Sequence, residues 1–217
     1  MIKKNKGTLI ITTLVMLIPM LVGLILWNQL PEQIPSHWGI DGEVDGWSSK
    51  AFAVFGFPCI LLAMHWVCVL VSNADPGNKN YHPKMLQLVL WICPVIGLVL
   101  NALVYATALG YQLNVEIIMP LLVGLMFIIV GNLLPKCRQS YTMGIKLPWT
   151  LANEENWNKT HRFGGKVMVI GGIITMATAF LGSFWILLGV LIVMVALPTI
   201  YSYSFYRKQT KNNKGEQ

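Results

Sequence analysis

Charge is what this sequence has least of. Only 12% of its 217 residues are charged, against 55% hydrophobic, and the mean hydropathy is +0.59. A soluble domain carries roughly a quarter charged residues, so a soluble fold is excluded and an integral membrane protein is indicated. The scarcity sharpens inside the long apolar runs, whose interiors hold no Asp, Glu, Lys or Arg. Pumps and ion-coupled transporters rely on such buried charges, and their absence weighs against transport. Cysteine is sparse too. Cys59, Cys68 and Cys93 fall within apolar runs and Cys137 beside one. Thiols on that side of a membrane stay reduced, so no disulfide framework is expected. Without CxxC spacing near a histidine, no zinc site is expected either. The chain has no GxSxG, no HExxH, no glycine-rich phosphate cradle and no DNA-binding motif. We therefore assign no catalytic residue, no metal, no cofactor and no direct nucleic-acid binding, and expect a protein that is not an enzyme.

What the sequence does have is uncharged runs matched to a bilayer. A hydrocarbon core of roughly 30 Å needs about 20 helical residues. Runs of that order occur at 8–28, 51–72, 85–106, 117–134, 167–182 and 183–206. They predict an all-α polytopic membrane protein with six transmembrane helices. Only Gly182-Ser183 separates the last two runs, and a single long kinked helix is the alternative there. The first run exceeds a signal-peptide apolar region and no small-residue cleavage pattern follows it, so it reads as a retained helix. The chain divides into a two-helix unit with its connecting loop (1–72), spans three and four (73–134), and an inner loop with spans five, six and a basic tail (135–217).

Basic residues are retained on the cytoplasmic side of membrane proteins. Placing Lys3, Lys4 and Lys6 inside puts fifteen of the sixteen Lys and Arg residues inside and leaves Lys50 alone outside. The prediction is N-in, C-in. The net charge of +7 then reports sidedness, with some attraction to anionic headgroups.

The outer loop, 29–50, is a short ordered structure on this reading. Pro31 and Pro35 favour extended backbone, while Gly39, Gly42 and Gly46 beside acids supply turns. Trp38 and Trp47 suit the interfacial belt. His37, Asp41, Glu43 and Asp45 put an imidazole and three carboxylates within nine positions. Such a set presents an anionic face to a ligand, or simply shapes turns; its spacing matches no established metal pattern. These four are the candidate ligand-binding residues. Within the runs, His65 either meets a cavity as a proton acceptor or bonds a neighbouring helix, and Asn101 reads as interhelical glue. Pro58, Pro94 and Pro198 kink their helices. Gly164, Gly165, Gly171, Gly172, Gly182 and Gly189 suggest close approach of the last two helices.

The inner loop, 131–165, is the most distinctive stretch, because a mere tether needs no tryptophan. Asn153 is placed to cap a helix starting near Glu154, with acids in its first turn where the dipole favours them. Trp157 and His161 then share one face. Lys146, Trp149, Trp157, Lys159, His161 and Arg162 are the candidate partner-binding residues, aromatic anchors ringed by basic groups. The structural alternative packs both tryptophans on the inner ends of the helices or lays them in the headgroup belt. Catalysis through His161 with Glu154 or Glu155 lacks a nucleophile or metal. Residues 74–83 read as a plain connector.

The segment Gly131-Asn132, Pro135-Lys136, Tyr141, Gly144-Ile145-Lys146, Pro148-Trp149-Thr150-Leu151, Glu154, Trp157, Thr160-His161-Arg162 and Gly164-Gly165 resembles the signature of the SdpI family of bacterial membrane proteins. Upstream, Leu30-Pro31, Ile34-Pro35, His37, Gly42 and Asp45-Gly46 resemble the domain of unknown function that commonly precedes it (DUF1648). Two departures are visible: Ser140 where the family usually has Asn, and Lys146 where it usually has Arg, which loses planar bidentate bonding. The resemblance implies six spans and a role in immunity and signalling in the bacterial cell membrane. It implies resistance to a secreted peptide toxin, and retention of a cytoplasmic transcriptional repressor as a second partner besides the lipid bilayer. The reading from another class is a small-molecule or peptide exporter.

Overall fold

The computed structural model describes residues 1–77 and 81–215, with side chains as far as Lys211; Lys79, counted among the inner basic residues, lies outside the described residues. The chain forms α1 (Lys6–Ile25), β1 (Gln33–Trp38), β2 (Val44–Ser49), α2 (Phe57–Ala74), α3 (Pro83–Ala108), α4 (Val115–Leu133), α5 (Pro148–Ala152), α6 (Glu154–Thr178) and α7 (Phe184–Gly215). Two compact units result, one of residues 1–74 and 86–116, the other of 75–85 and 117–217. α3 thus groups with α1 and α2, and α4 with α6 and α7.

Among the described residues, five helical stretches are long and apolar enough to cross a membrane: Ile2–Ile25, Phe52–Ala74, Pro83–Ala108, Val115–Lys136 and Phe184–Lys211. The predicted fifth span is different. It is the second half of α6, a 25-residue helix whose first half carries Glu154, Glu155, Lys159, Arg162 and Lys166. That charge leaves only residues 167–178 as an apolar stretch, and the helix ends at Thr178. α6 and α7 are separate helices, not one kinked helix.

In the first unit, the connection between α1 and α2 is a β-hairpin. β1 and β2 pair antiparallel with Gln33 opposite Ser49 and Pro35 opposite Trp47, and the register slips around Ser36. The alternation of exposed Asp45, Trp47 and Ser49 with half-buried Val44, Gly46 and Ser48 is the period of a one-sided strand. Gly42 turns the hairpin with φ +74°, a left-handed conformation that glycine takes without penalty. The hairpin sits on a cluster of Leu30, Ile34, Ala53, Val54, Val104 and Tyr105. The Tyr105 hydroxyl donates to the Pro19 carbonyl at 3.0 Å. Lys50 is buried, donating to the Trp27 carbonyl at 3.2 Å and to Glu32 at 2.9 Å. Before Pro58, which lacks an N–H, the helix widens into a π turn at Phe52–Gly56. His65 is fully buried and its Nε2 meets the Thr12 hydroxyl at 3.3 Å. That contact is the interhelical bond of the simpler sequence reading.

In the second unit, α4 and α6 touch through paired glycines. A methyl group on Gly131 would stand 2.8 Å from the Gly165 carbonyl oxygen, and one on Gly165 would stand 2.6 Å from that of Gly131. Gly124 and Gly172 repeat the arrangement one heptad along, with 2.5 and 2.6 Å. Lipid offers no hydrophobic drive for helix association, so this backbone proximity is what packing has to work with. The sequence assigned these small residues to the α6–α7 contact. Only Gly171, against Met194, and Gly164, 3.5 Å from Pro198, serve it; Gly182 and Gly189 have nothing within 4 Å.

Candidate functional site

Two places gather the residues singled out above, one in each unit. On the hairpin, His37, Asp41, Glu43 and Asp45 are all exposed. His37 Nδ1 pairs with Asp45 Oδ1 at 2.5 Å, and Asp41 Oδ1 accepts from the Glu43 N–H at 3.2 Å. Asp41 therefore shapes the turn while its charge stays in water. No group of three or more metal-ligating side chains forms among the described residues. What the hairpin presents is an anionic surface beside exposed Ile40 and Trp47, at 72% and 59% exposure. The single nearby lysine is neutralised by Glu32.

The inner loop is an ordered assembly. Asn153 caps α6 by accepting from the Asn156 N–H at 2.7 Å, and Glu154 and Glu155 fill the first turn. One turn on, Trp157 and His161 stack with ring centroids 4.0 Å apart. Trp157 Nε1 donates to the Cys137 carbonyl at 2.8 Å. His161 Nδ1 lies 2.7 Å from the Trp157 carbonyl, and Nε2 accepts from the Ile145 N–H at 2.9 Å. This geometry defines the neutral ring with its proton on Nδ1. Burial enforces the same state by pulling the His161 pKa down to about 4. Gly144 makes room: its φ is +105°, and a side chain there would collide with His161 and Trp157.

A second network joins α5, α6 and α7. Ser202 Oγ donates to Asn156 Oδ1 at 2.8 Å and accepts from Trp149 Nε1 at 2.8 Å. The Thr160 hydroxyl also donates to Asn156 Oδ1, at 2.9 Å. Trp149 further stacks on Tyr206, with centroids 5.9 Å apart.

The sequence missed the hub of this assembly. Asp75, in the segment read as a plain connector, is 3% exposed. Its Oδ1 accepts from the Gly77 N–H at 2.7 Å. Its Oδ2 accepts from the Ser140 hydroxyl at 2.9 Å, the Tyr141 and Thr142 N–H groups at 3.0 Å each, and the Thr142 hydroxyl at 2.9 Å. Tyr81 closes the cluster with its hydroxyl 2.5 Å from that of Thr142. Burial pushes the carboxyl pKa up, but the bonds from Gly77, Thr142, Ser140 and Tyr81 outweigh it and hold it at about 2. The only sequence signal was an acid in a Pro-Gly turn directly after a span. Nothing in it pointed 65 residues ahead to Ser140.

The proposed partner face divides on these facts. Trp157 and His161 are 0% and 1% exposed, so they form the interior that supports the loop and not its surface. The packing alternative holds for Trp157 and in part for Trp149, which is half-buried. Lys146, Lys159 and Arg162 are exposed. Lys159 pairs with Glu155 at 2.8 Å and lies 4.2 Å from the centre of the Phe205 ring. Lys146 Nζ donates to one carbonyl, that of Thr142, at 3.3 Å, a contact that needs no planar fork.

Helices of spanning length, with a structured loop in the second unit and a hairpin on the first, define a multi-pass membrane protein. The family model described as the SdpI/YfhL protein family matches residues 136–202, and the one described as a domain of unknown function (DUF1648) matches 14–62. The Immunity protein SdpI of Bacillus subtilis (strain 168) is 31% identical over 209 residues, covering 95% of this chain and 97% of that protein. The chain belongs to the SdpI/YfhL family and is an immunity-type membrane protein. No solved structure matches it.

Proposed function

We propose that this protein protects its cell against a secreted, membrane-active cationic peptide, and that it acts by binding and not by catalysis. The observation that carries the reading is near full-length similarity to a protein named for immunity. The hairpin supplies a physical route: exposed Asp41, Glu43 and Asp45 attract a cationic peptide, and Trp47 and Ile40 meet its apolar side at the membrane surface. A non-catalytic role is supported by His161, whose two ring nitrogens are both committed to backbone groups. In the second unit, exposed Lys146 and Arg162 and the half-buried Trp149 offer a basic and aromatic surface for holding a transcriptional repressor.

Expression of the full chain in a sensitive strain tests this. The tolerated dose of a cationic membrane-active peptide should rise, and the triple variant Asp41→Asn, Glu43→Asn, Asp45→Asn should lose most of that gain at unchanged membrane abundance. Full protection by a well-expressed triple variant removes electrostatic capture from the mechanism. No protection from the unmodified chain against any of a panel of such peptides removes the immunity reading itself.

A further inference from the structure

A groove of about 520 Å3 runs along the seam between α6 and α7. Its walls are aliphatic, including Val167, Ile170 and Ile174 from α6 and Ile186, Val193 and Leu197 from α7. Gly189 sets its depth. Gly171 and Gly189 both line it, and Gly189 faces open space with nothing within 4 Å. Gly189 therefore hollows the seam where a larger residue would fill it. The groove is open along one side, with Ile170, Ile174, Ile186 and Val193 between 44% and 59% exposed.

Its length and its mouth are informative together. From Ile186 to Leu197 the rise along α7 is about 16 Å, close to the roughly 15 Å of hydrocarbon in one leaflet. At the Val167 and Leu197 end the helical period puts Arg162 and Lys166 on the same stripe of α6 as Ile170 and Ile174, each four residues from the next. Both basic side chains are exposed, and among the described side chains neither has a carboxylate within ion-pairing distance. An aliphatic slot one leaflet long, with two uncompensated cations at its polar end, complements one kind of molecule. We infer that this seam binds an anionic phospholipid, one acyl chain lying along Gly171 and Gly189 and the phosphate held by Arg162 and Lys166. A second protein helix would fill the slot equally well, but the two cations give it nothing to match. The inference is independent of the immunity reading and requires only that residues 167–178 lie in the bilayer beside α7.

The test uses the purified full-length protein in nanodiscs of phosphatidylglycerol and phosphatidylcholine, equimolar and with matched chains, and counts by native mass spectrometry the lipids retained after release. Two basic groups at a membrane surface predict enrichment of phosphatidylglycerol on the order of tenfold. The double variant Arg162→Gln, Lys166→Gln should bring the ratio close to one. Gly189→Leu starts its side chain in open space, where an added Cβ meets nothing within 4 Å, and should lower retention of both lipids severalfold with an unchanged thermal midpoint. Equal retention of the two lipids by the unmodified protein overturns the inference, as does an undiminished preference in the double variant. A dimer that Gly189→Leu converts to monomer would also overturn it, by assigning the slot to a second copy.

Discussion

Asp75 holds a carboxylate almost out of water, and its donors decide what that does to stability. An Asn amide keeps one acceptor oxygen and turns the other into an NH2 donor, so either the Gly77 N–H or the donors gathered on Oδ2 lose their acceptor, and unmet buried donors cost about 1–3 kcal/mol each before relaxation. Asp75→Asn should lower the thermal midpoint in detergent by several degrees, measured by tryptophan fluorescence; an unchanged midpoint would remove Asp75 as the hub. The pH dependence separates Asp75 from His161. The Asp75 pKa is about 2 in the fold, below its ordinary 3.8, so its contribution is full above pH 3.8 and lost as pH falls through 2. His161 is depressed from 6.5 to about 4, so the unfolded chain binds more protons between those values. Stability should fall as pH drops below 6.5 and stop responding to this residue below 4, an effect of about 3 kcal/mol. Equilibrium unfolding at pH 7 and pH 5 should show the loss, and a folded His161→Gln variant should lack it. The cap at Asn153 was legible because a cap and its helix are neighbours in sequence. The Asp75 hub was not, because a carboxylate's partners 65 residues away leave no local pattern.

At the scale of elements, the two connections differ in how they announce themselves. In the outer loop the prolines and glycines marked extended backbone and turns correctly. The strands themselves escaped notice because Pro35, Asp45 and Gly46 are poor strand formers, held in register by the cluster that Ile34 joins. Helix pairing was harder to read. Glycine content shows that backbones approach, but which helix they approach is settled by the face each glycine occupies. Gly165 and Gly172, seven residues apart, match Gly124 and Gly131 at the same interval, and the eye is drawn instead to the sequential neighbour α7. Gly131→Ala and Gly172→Ala should each destabilise the protein by about 1–3 kcal/mol through overpacking, while Gly189→Ala should be near neutral. Denaturation in detergent checks the contrast, and equal sensitivity at all three positions would dismiss the assignment of α4 as partner.

For the whole molecule the open quantity is the number of crossings, and it turns on α6. Composition alone undercounts this helix, since charged residues crowd its first half. Its connections argue for a full crossing. The start of α6 is tied to the far end of α7 by Asn156 Nδ2 donating to the Ser202 carbonyl at 3.1 Å and Gln209 donating to Glu155 at 3.0 Å. The other end of α6 returns to the start of α7 within residues 179–183. Two antiparallel helices joined at both ends span the same depth, and α7 is of spanning length. At 1.5 Å per residue the 25 residues of α6 rise about 37 Å, more than the roughly 30 Å core. The uncharged residues 167–178 rise only about 18 Å, so a full crossing sinks Arg162 and Lys166 below headgroup depth, with their long side chains reaching back to water. Six crossings return the chain to the side it started from, so residues near both ends and in the inner loop should share one side. In a cysteine-free background, Asp41→Cys and Tyr111→Cys should react with an impermeant maleimide added to intact cells. Lys4→Cys, Asn158→Cys and Lys208→Cys should react only after permeabilisation. Five crossings would put Lys208 on the side opposite Lys4, so external labelling at position 208 alone would refute the crossing of α6. External labelling at 4, 158 and 208 together would keep the six spans but invert the orientation that fifteen of sixteen basic residues predict.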